Sequence, residues 1–132
     1  MNHKVSLHAY LSYSDASAAL DWLGKVGFQV VSRQDGSDGS VIHSELRCGD
    51  AVVMVASSDA AYEIPSLQGV STGAGVYLCV EDPDACYRRA VEAGAATVFA
   101  PQETAWGARR ARVLDPEGRE WTFGSYAPGQ TR

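Results

Sequence analysis

The sequence predicts an α+β fold made of two βαβββ modules with pseudo-two-fold symmetry. The main observation is an internal repeat, in which segment 10–31 is echoed by segment 77–98. In both copies an apolar run ends at an Asp, a helix-like stretch follows, and a Gly closes it. The identical pairs are Tyr10/Tyr77, Leu11/Leu78, Asp15/Asp82, Ala18/Ala85, Gly27/Gly94 and Val31/Val98. Two copies of one supersecondary unit in 132 residues predict a curled mixed sheet with a concave cleft between the copies.

Length and composition indicate one domain spanning 1–132, with 45% hydrophobic and 20% charged residues. Within it we expect module one at 4–57, a linker at 58–73 and module two at 74–126. A net charge of -5 argues against binding nucleic acid, which needs a concentrated positive surface.

Targeting features are absent from the sequence pattern. The N-terminal stretch alternates instead of forming a signal-peptide core, and no apolar run reaches the roughly 20 residues of a membrane span. We therefore expect no membrane partner. The cysteines show no C-x-x-C spacing, which favours reduced thiols in a cytoplasmic protein: Cys48, Cys79 and Cys86.

The first module opens with a strand and a helix. Alternation over 5–13 predicts a strand, one of whose faces carries His8, Tyr10 and Ser12. Asp15 is a suitable N-cap for the helix that follows, and Gly27 suits its C-terminal end. Trp22 lies off the main apolar stripe of this helix, so we expect it either at an interface or partly buried.

Three further strands complete module one. Segment 28–33 reads as a strand, and 34–40 consists of turn residues. Segments 41–47 and 51–56 then form a hairpin, with Met54 on the inward face of the second strand.

Module two repeats this order. A strand at 75–80 is followed by a helix capped by Asp82, with Pro83 at its first position and Gly94 at its end. Its remaining strands are expected at 97–100, 108–114 and 119–126, the last two joined by a turn at 115–118. Trp121 and Phe123 are expected in the core.

The chain resembles the vicinal-oxygen-chelate superfamily, which includes glyoxalase I, extradiol dioxygenases and bleomycin-resistance proteins. The resemblance is carried by 8–15 (HAYLSYSD), by 75–82 (GVYLCVED) and by 115–124 (DPEGREWTFG), and it covers nearly the whole chain. It implies two βαβββ modules that curl around a cleft, and usually a homodimer, which we expect here.

The enzymes of this superfamily hold a divalent metal at four positions. The resemblance places those positions at His8, Met54, Gly75 and Thr122, of which only His8 is a plausible ligand. Catalytic zinc needs three protein ligands, and a non-haem iron site needs a facial triad. We therefore expect no metal, no cofactor and no catalytic residue in this cleft.

A cleft of neutral and aromatic groups remains in place of the metal. The residues expected to bind a ligand there are His8, Tyr10, Ser12, Met54, Tyr77, Cys79, Trp106 and Thr122. Tyr10 and Tyr77 are interpreted as pocket walls, with core positions as the alternative. Trp106 lies in a loop and is equally suited to ligand stacking and to dimer packing. For Cys79 we expect a small packing role.

Charged groups near the cleft have simpler interpretations. On a strand Arg110 and Arg112 share a face and Arg109 opposes them, and we expect these arginines to pair with Glu103, Glu117 or Glu120. His43 and Glu45 lie two apart, a spacing suited to metal ligands, but a solvated strand face is favoured because no third ligand is evident.

The function favoured by the resemblance is sequestration of a drug. A homodimer would hold a planar, partly cationic molecule, such as an aromatic or peptide antibiotic, without transforming it. The alternative is a metal-dependent lyase, isomerase or dioxygenase, with a different metal site assembled from His8, His43, Glu45 or Glu120.

Overall fold

The computed structural model describes residues 5–60 and 73–129, and in that part of the chain each half has the order strand, helix, three strands. The first half comprises β1 (Tyr10–Tyr13), α1 (Ala16–Val26), β2 (Gln29–Asp35), β3 (Val41–Cys48) and β4 (Ala51–Ser57). The second half comprises β5 (Gly75–Cys79), α2 (Pro83–Glu92), β6 (Ala96–Glu103), β7 (Arg109–Leu114) and β8 (Glu120–Gly124). Most of the predicted linker lies outside the described residues, so the module boundaries stay predictions.

The strands form two four-stranded mixed sheets with the same topology. The first sheet has the order β1-β4-β3-β2 and the second the order β5-β8-β7-β6. In each sheet the first strand runs parallel to the last, and the other pairs are antiparallel. This equivalence confirms the α+β class and the pair of βαβββ modules.

Strand β1 is shorter than predicted, because its ladder with β4 stops near Ala9. The N–H of Met54 still donates to the carbonyl of Ala9 at 2.9 Å. The next acceptor of the parallel pattern, the carbonyl of Val52, is instead hydrogen-bonded by the His8 imidazole at 2.9 Å. The segment before Tyr10 therefore follows β4 without regular pairing.

Two other strands are longer than predicted. In β2 the pairing continues to Gln34, opposite His43, and to Asp35. In β6 the strand passes through Pro101 and ends at Glu103, opposite Arg109. Proline is tolerated there because β6 is an edge strand, where a missing N–H costs no ladder bond.

Both predicted helix caps are present. The side chain of Asp15 accepts from the N–H of Ala18 at 3.0 Å, and Asp82 accepts from the N–H of Ala85 at 3.1 Å. Gly27 closes α1 with a φ of 137°, in the range that glycine tolerates.

The core lies between the sheets and the two helices. Trp121 and Phe123 are fully buried, as predicted. Trp22 is also buried, and its indole N–H donates to the carbonyl of Ala90 at 3.1 Å. Trp22 is buried although it lies off the main apolar stripe of α1, because α1 packs against α2 as well as against its own sheet. No helix in the described segments is long and apolar enough to cross a membrane.

The turn between β7 and β8 connects the second module to the first. The Glu117 carboxylate accepts from the N–H groups of Ser14 and Asp15, both at 2.8 Å. Glu117 therefore caps the β1–α1 junction, and among the three predicted acidic partners the β7 arginines pair with Glu103 and Glu120.

Candidate functional site

Each helix covers one face of its own sheet, and the opposite face of each sheet is the candidate binding surface. On the first sheet Tyr10 lies opposite Met54, which in turn lies opposite Glu45. Ser12 lies opposite Ala56. Directly opposed residues project to the same side of a sheet, so the structure places Tyr10, Ser12 and Met54 on one surface.

His8 lies beside this surface, and both of its ring nitrogens are engaged. Nδ1 is 2.9 Å from the carbonyl oxygen of Val52, and Nε2 is 2.8 Å from the hydroxyl of Ser6. A carbonyl can only accept, so Nδ1 carries a proton and donates to Val52. In this arrangement two hydrogen bonds orient the His8 ring, which gives the surface a polar side.

A cavity of about 510 Å³ opens between the segment before β1, the start of β4 and the start of β5. Its size falls in the usual range of small-molecule sites, about 300–1,000 Å³. Of the eight predicted binding residues, it contacts His8 and Tyr77. The full lining is 6–9, 50–53 and 75–78.

The second sheet carries a distinct surface, which we call the arginine face. The ladder places Tyr77 and Arg112 on either side of Thr122, and Cys79 and Arg110 on either side of Gly124. The arginine face consists of Tyr77, Cys79, Phe99, Arg110, Arg112 and Thr122.

The two arginines of this face share one aromatic ring. The guanidinium carbons of Arg110 and Arg112 each lie 5.2 Å from the centroid of Phe99, within cation–π range. Arg112 also donates to the hydroxyl of Thr122 at 2.8 Å and lies 3.9 Å from the Glu120 carboxylate. The prediction that Arg110 and Arg112 share a face is thus confirmed.

Arg109 points the other way, toward α2. Its guanidinium donates to both carboxylate oxygens of Asp84, at 2.6 and 2.8 Å, and to Glu103 at 3.3 Å. The Arg109 hydrogen bonds hold the pKa of Asp84 below its usual value. The pair with Glu103 was predicted. The pair with Asp84 was missed, because it depends on how α2 packs over β7.

Tyr77 lies across β8 at the end of the arginine face. Its hydroxyl donates to the carbonyl of Tyr126 at 2.7 Å, and a Cβ added to Gly124 would lie 2.9 Å from its ring carbon Cζ. Burial raises the pKa of the Tyr77 hydroxyl. The ring can adopt this position because Gly124 has no side chain.

Trp106 borders the same end of the face. It lies in the loop between β6 and β7, is 60% exposed and meets the ring of Tyr126 edge-on at 5.6 Å between centroids. Cys79 is exposed, and its Sγ lies 3.9 Å from the carbonyl of Ser125. The expectation of a packed Cys79 was therefore wrong.

Sequence reasoning missed Phe99 and Tyr126 as neighbours of the site. The alternating arginines were visible in the sequence, but the position of Phe99 opposite Arg112 follows from a β-bulge in β6. Nothing in the pattern of residues alone marks that bulge.

The paired modules and their shared topology define a protein of the glyoxalase fold class. The chain belongs to the Glyoxalase/Bleomycin resistance protein/Dioxygenase superfamily, whose family model matches residues 6–123.

Two sequence relatives are mycobacterial. The uncharacterized protein Rv0887c of Mycobacterium tuberculosis is 33% identical over 134 residues, covering 94% of this chain and 76% of that protein. The uncharacterized protein Mb0911c of Mycobacterium bovis is also 33% identical, covering 94% of this chain and 85% of that protein.

Solved structures show the same architecture. TioX from Micromonospora sp. ML1 matches with a TM-score of 0.72 and 34% identity, covering 96% of this chain and all (100%) of TioX. The bleomycin resistance determinant encoded on the transposon Tn5 matches with a TM-score of 0.63 and 18% identity, covering 92% and 97% of the two chains. At that identity the second likeness shows the fold alone.

The residues at the superfamily's metal positions do not fit a divalent metal. Met54 offers a thioether, Gly75 has no side chain, and the hydroxyl of Thr122 is buried and hydrogen-bonded by Arg112. The alternative pair, His43 and Glu45, is joined by its own hydrogen bond of 2.8 Å on the first sheet. Within residues 5–60 and 73–129, no group of three His, Cys, Asp or Glu side chains could hold a metal ion.

Proposed function

We propose that this protein binds a planar aromatic small molecule, of the kind found among antibiotics, and protects by sequestering it unchanged. The observation that carries the proposal is the contact between Arg112 and Thr122. A guanidinium bound at this metal-ligand position disfavours a divalent cation by charge, while it leaves the cleft able to bind organic molecules.

Exposed aromatic side chains support the same proposal. Tyr10 is 52% exposed, Tyr77 38% and Trp106 60%, and all three border the candidate surfaces. Aromatic pairs contribute about 0.5–1.5 kcal/mol each beyond the area they bury. The fold shared with a bleomycin resistance determinant also favours this reading.

Sequestration needs affinity but no turnover. Protection scales with the number of protein copies and their affinity, so a useful dissociation constant is micromolar or tighter, about -8 kcal/mol. The candidate faces of the two sheets are open in one chain, which favours a homodimer in which a second copy completes the cleft. The free cysteines Cys48, Cys79 and Cys86 favour a cytoplasmic setting.

Tryptophan fluorescence tests the proposal. Trp22 and Trp121 are buried and Trp106 is exposed, so a ligand that binds next to the β6–β7 loop should quench mainly Trp106. The protein is titrated with a panel of planar aromatic and peptide antibiotics. Trp106→Phe should remove most of the quenching, and Tyr87→Phe, which alters a partly buried tyrosine of α2, should leave it intact.

The panel result decides the proposal. At least one compound is expected to bind with micromolar affinity and to be less toxic to cells that produce the protein. The proposal fails if no compound binds more tightly than about 100 µM, roughly -5.5 kcal/mol, and none is less toxic to those cells.

A further inference from the structure

We propose that the ligand carries a carboxylate on its planar aromatic system, and that Arg110 binds this carboxylate. The inference rests on the proposed function and specifies the chemical class of the ligand. It starts from a difference between the two neighbouring arginines of the arginine face.

Arg112 has its charge compensated within the protein. It donates to Thr122, and the Glu120 carboxylate lies 3.9 Å away. Arg110 lies on the same face of β7 but has no carboxylate within ion-pair distance among the described residues. Its contact with the ring of Phe99, at 5.2 Å, offers no hydrogen-bond acceptor.

The Nε of Arg110 is buried without a hydrogen-bond partner in the described part of the chain. A buried donor that stays unpaired is costly, and more so when it is charged. An Arg side chain presents Nε–H and a neighbouring N–H in a fork that matches the two oxygens of a carboxylate. Because this Nε is covered, a ligand carboxylate would reach it through a small movement of the neighbouring side chains, and would then pair the donor and compensate the charge together.

Aromatic side chains lie next to the Arg110 guanidinium. The residue opposite on β8 is Gly124, and the ring of Tyr77 lies in the space that a side chain at Gly124 would fill. Tyr77 and the Trp106–Tyr126 pair lie at the same end of the sheet and offer aromatic surface for the rings of the ligand. The charge on this face therefore argues against the partly cationic ligand expected from the resemblance.

The negative net charge of the chain does not oppose this proposal at short range. Charges separated by more than a Debye length, about 8 Å at physiological ionic strength, are largely screened. The Glu120 carboxylate lies beside this face, but it is 3.9 Å from Arg112 and compensates that arginine. Local charge around Arg110 thus decides the preference.

Matched acids and amides provide the test. Naphthoate and anthracene carboxylate are each compared with the corresponding neutral carboxamide by NMR titration and calorimetry. The acids should bind about tenfold more tightly than the amides, a difference of about 1.4 kcal/mol. Addition of an acid should also shift the NMR signal of the Arg110 Nε–H.

Variants locate the effect. Arg110→Gln should remove the preference for the acids without weakening the amides, and Arg110→Lys should recover part of it because charge returns without the fork. Arg88→Gln is the matched control, since it removes one positive charge from an exposed position of α2. Far-ultraviolet circular dichroism confirms that each variant is folded.

The outcomes separate this inference from the proposed function. Equal binding of acids and amides, or an Arg110→Gln variant that keeps the preference, overturns the carboxylate site and leaves aromatic binding standing. Loss of the preference to the same extent in Arg88→Gln also overturns it, because the effect would then come from the overall charge of the protein and not from Arg110. If no aromatic acid or amide binds, the carboxylate site fails, and the proposed function fails with it only when the antibiotic panel also gives no binder.

Discussion

The hydroxyl of Tyr13 donates a hydrogen bond of 2.5 Å to the carboxylate of Asp115, joining the end of β1 to the turn before β8. The same oxygen, Oδ2, accepts from the indole N–H of Trp121 at 3.1 Å, and Oδ1 accepts from the backbone N–H groups of Glu117 and Arg119. Both side chains are buried, so this cluster is a polar link inside the core. Burial, followed by the bond to Asp115, raises the pKa of the Tyr13 hydroxyl.

Removal of the Tyr13 hydroxyl should destabilise the fold. Tyr13→Phe leaves a buried carboxylate with one donor fewer, which should lower the free energy of unfolding by about 1–3 kcal/mol. Urea denaturation measures the change. Tyr87→Phe is the control, because its hydroxyl bonds an exposed Thr97 and its loss should cost little. Equal effects of the two variants would contradict a structural role for the Tyr13–Asp115 bond.

Two glycine substitutions should have opposite effects. At Gly24, in the exposed part of α1, a Cβ meets nothing within 4 Å, so Gly24→Ala should stabilise by about 0.5–1 kcal/mol. At Gly124 a Cβ would collide with the ring of Tyr77. Gly124→Ala should therefore lower stability, displace Tyr77 and weaken aromatic ligands. Thermal unfolding and ligand titration of both variants measure this, and an unchanged Gly124→Ala protein would contradict the described position of Tyr77.

Stability should fall at alkaline pH because of Cys86. Burial raises the pKa of this thiol to about 11 in the folded protein, from 9.0 for an exposed thiol. Between those values the unfolded chain loses the proton and the folded chain keeps it, so stability decreases as pH rises.

The expected loss is on the order of 1–2 kcal/mol between pH 9 and 11, as read from urea denaturation at each pH. Cys86→Ala should have a flatter pH profile than the native protein, whatever its absolute stability. Cys79→Ala is the control, since Cys79 is exposed. A profile of Cys86→Ala that parallels the native one would contradict the assignment.

Trp106 and Trp22 should differ in what their removal changes. Trp22→Ala empties a core position and should cost about 3–5 kcal/mol of stability. Trp106→Ala should change stability by less than about 1 kcal/mol, because the side chain is largely exposed, and should weaken ligand binding several-fold. Light scattering alongside the titration distinguishes lost stacking from lost dimer packing.

The sequence was most informative where the structure depends on local chemistry. The caps Asp15 and Asp82 and the turn before β8 follow from short-range hydrogen bonds, and they were predicted at their correct positions. The repeat also predicted the order of the strands and the helix along each half of the chain.

Features that depend on tertiary packing could not be predicted in this way. The burial of Trp22 depends on contact between the helices, and the pair of Arg109 with Asp84 depends on where α2 lies over β7. Likewise, the unpaired Nε of Arg110 follows from the cross-strand register and from the absence of a nearby carboxylate, which alternation along one strand does not reveal.

Analysis of the recovered ligand by mass spectrometry tests the central claim most directly. The tightest-binding compound of the antibiotic panel is incubated with stoichiometric protein, with added divalent metal and separately with EDTA, and is then released by denaturation. The compound is expected to be recovered with its mass unchanged and in equal yield from both incubations. A modified product that forms with metal and disappears with EDTA would contradict binding without chemistry.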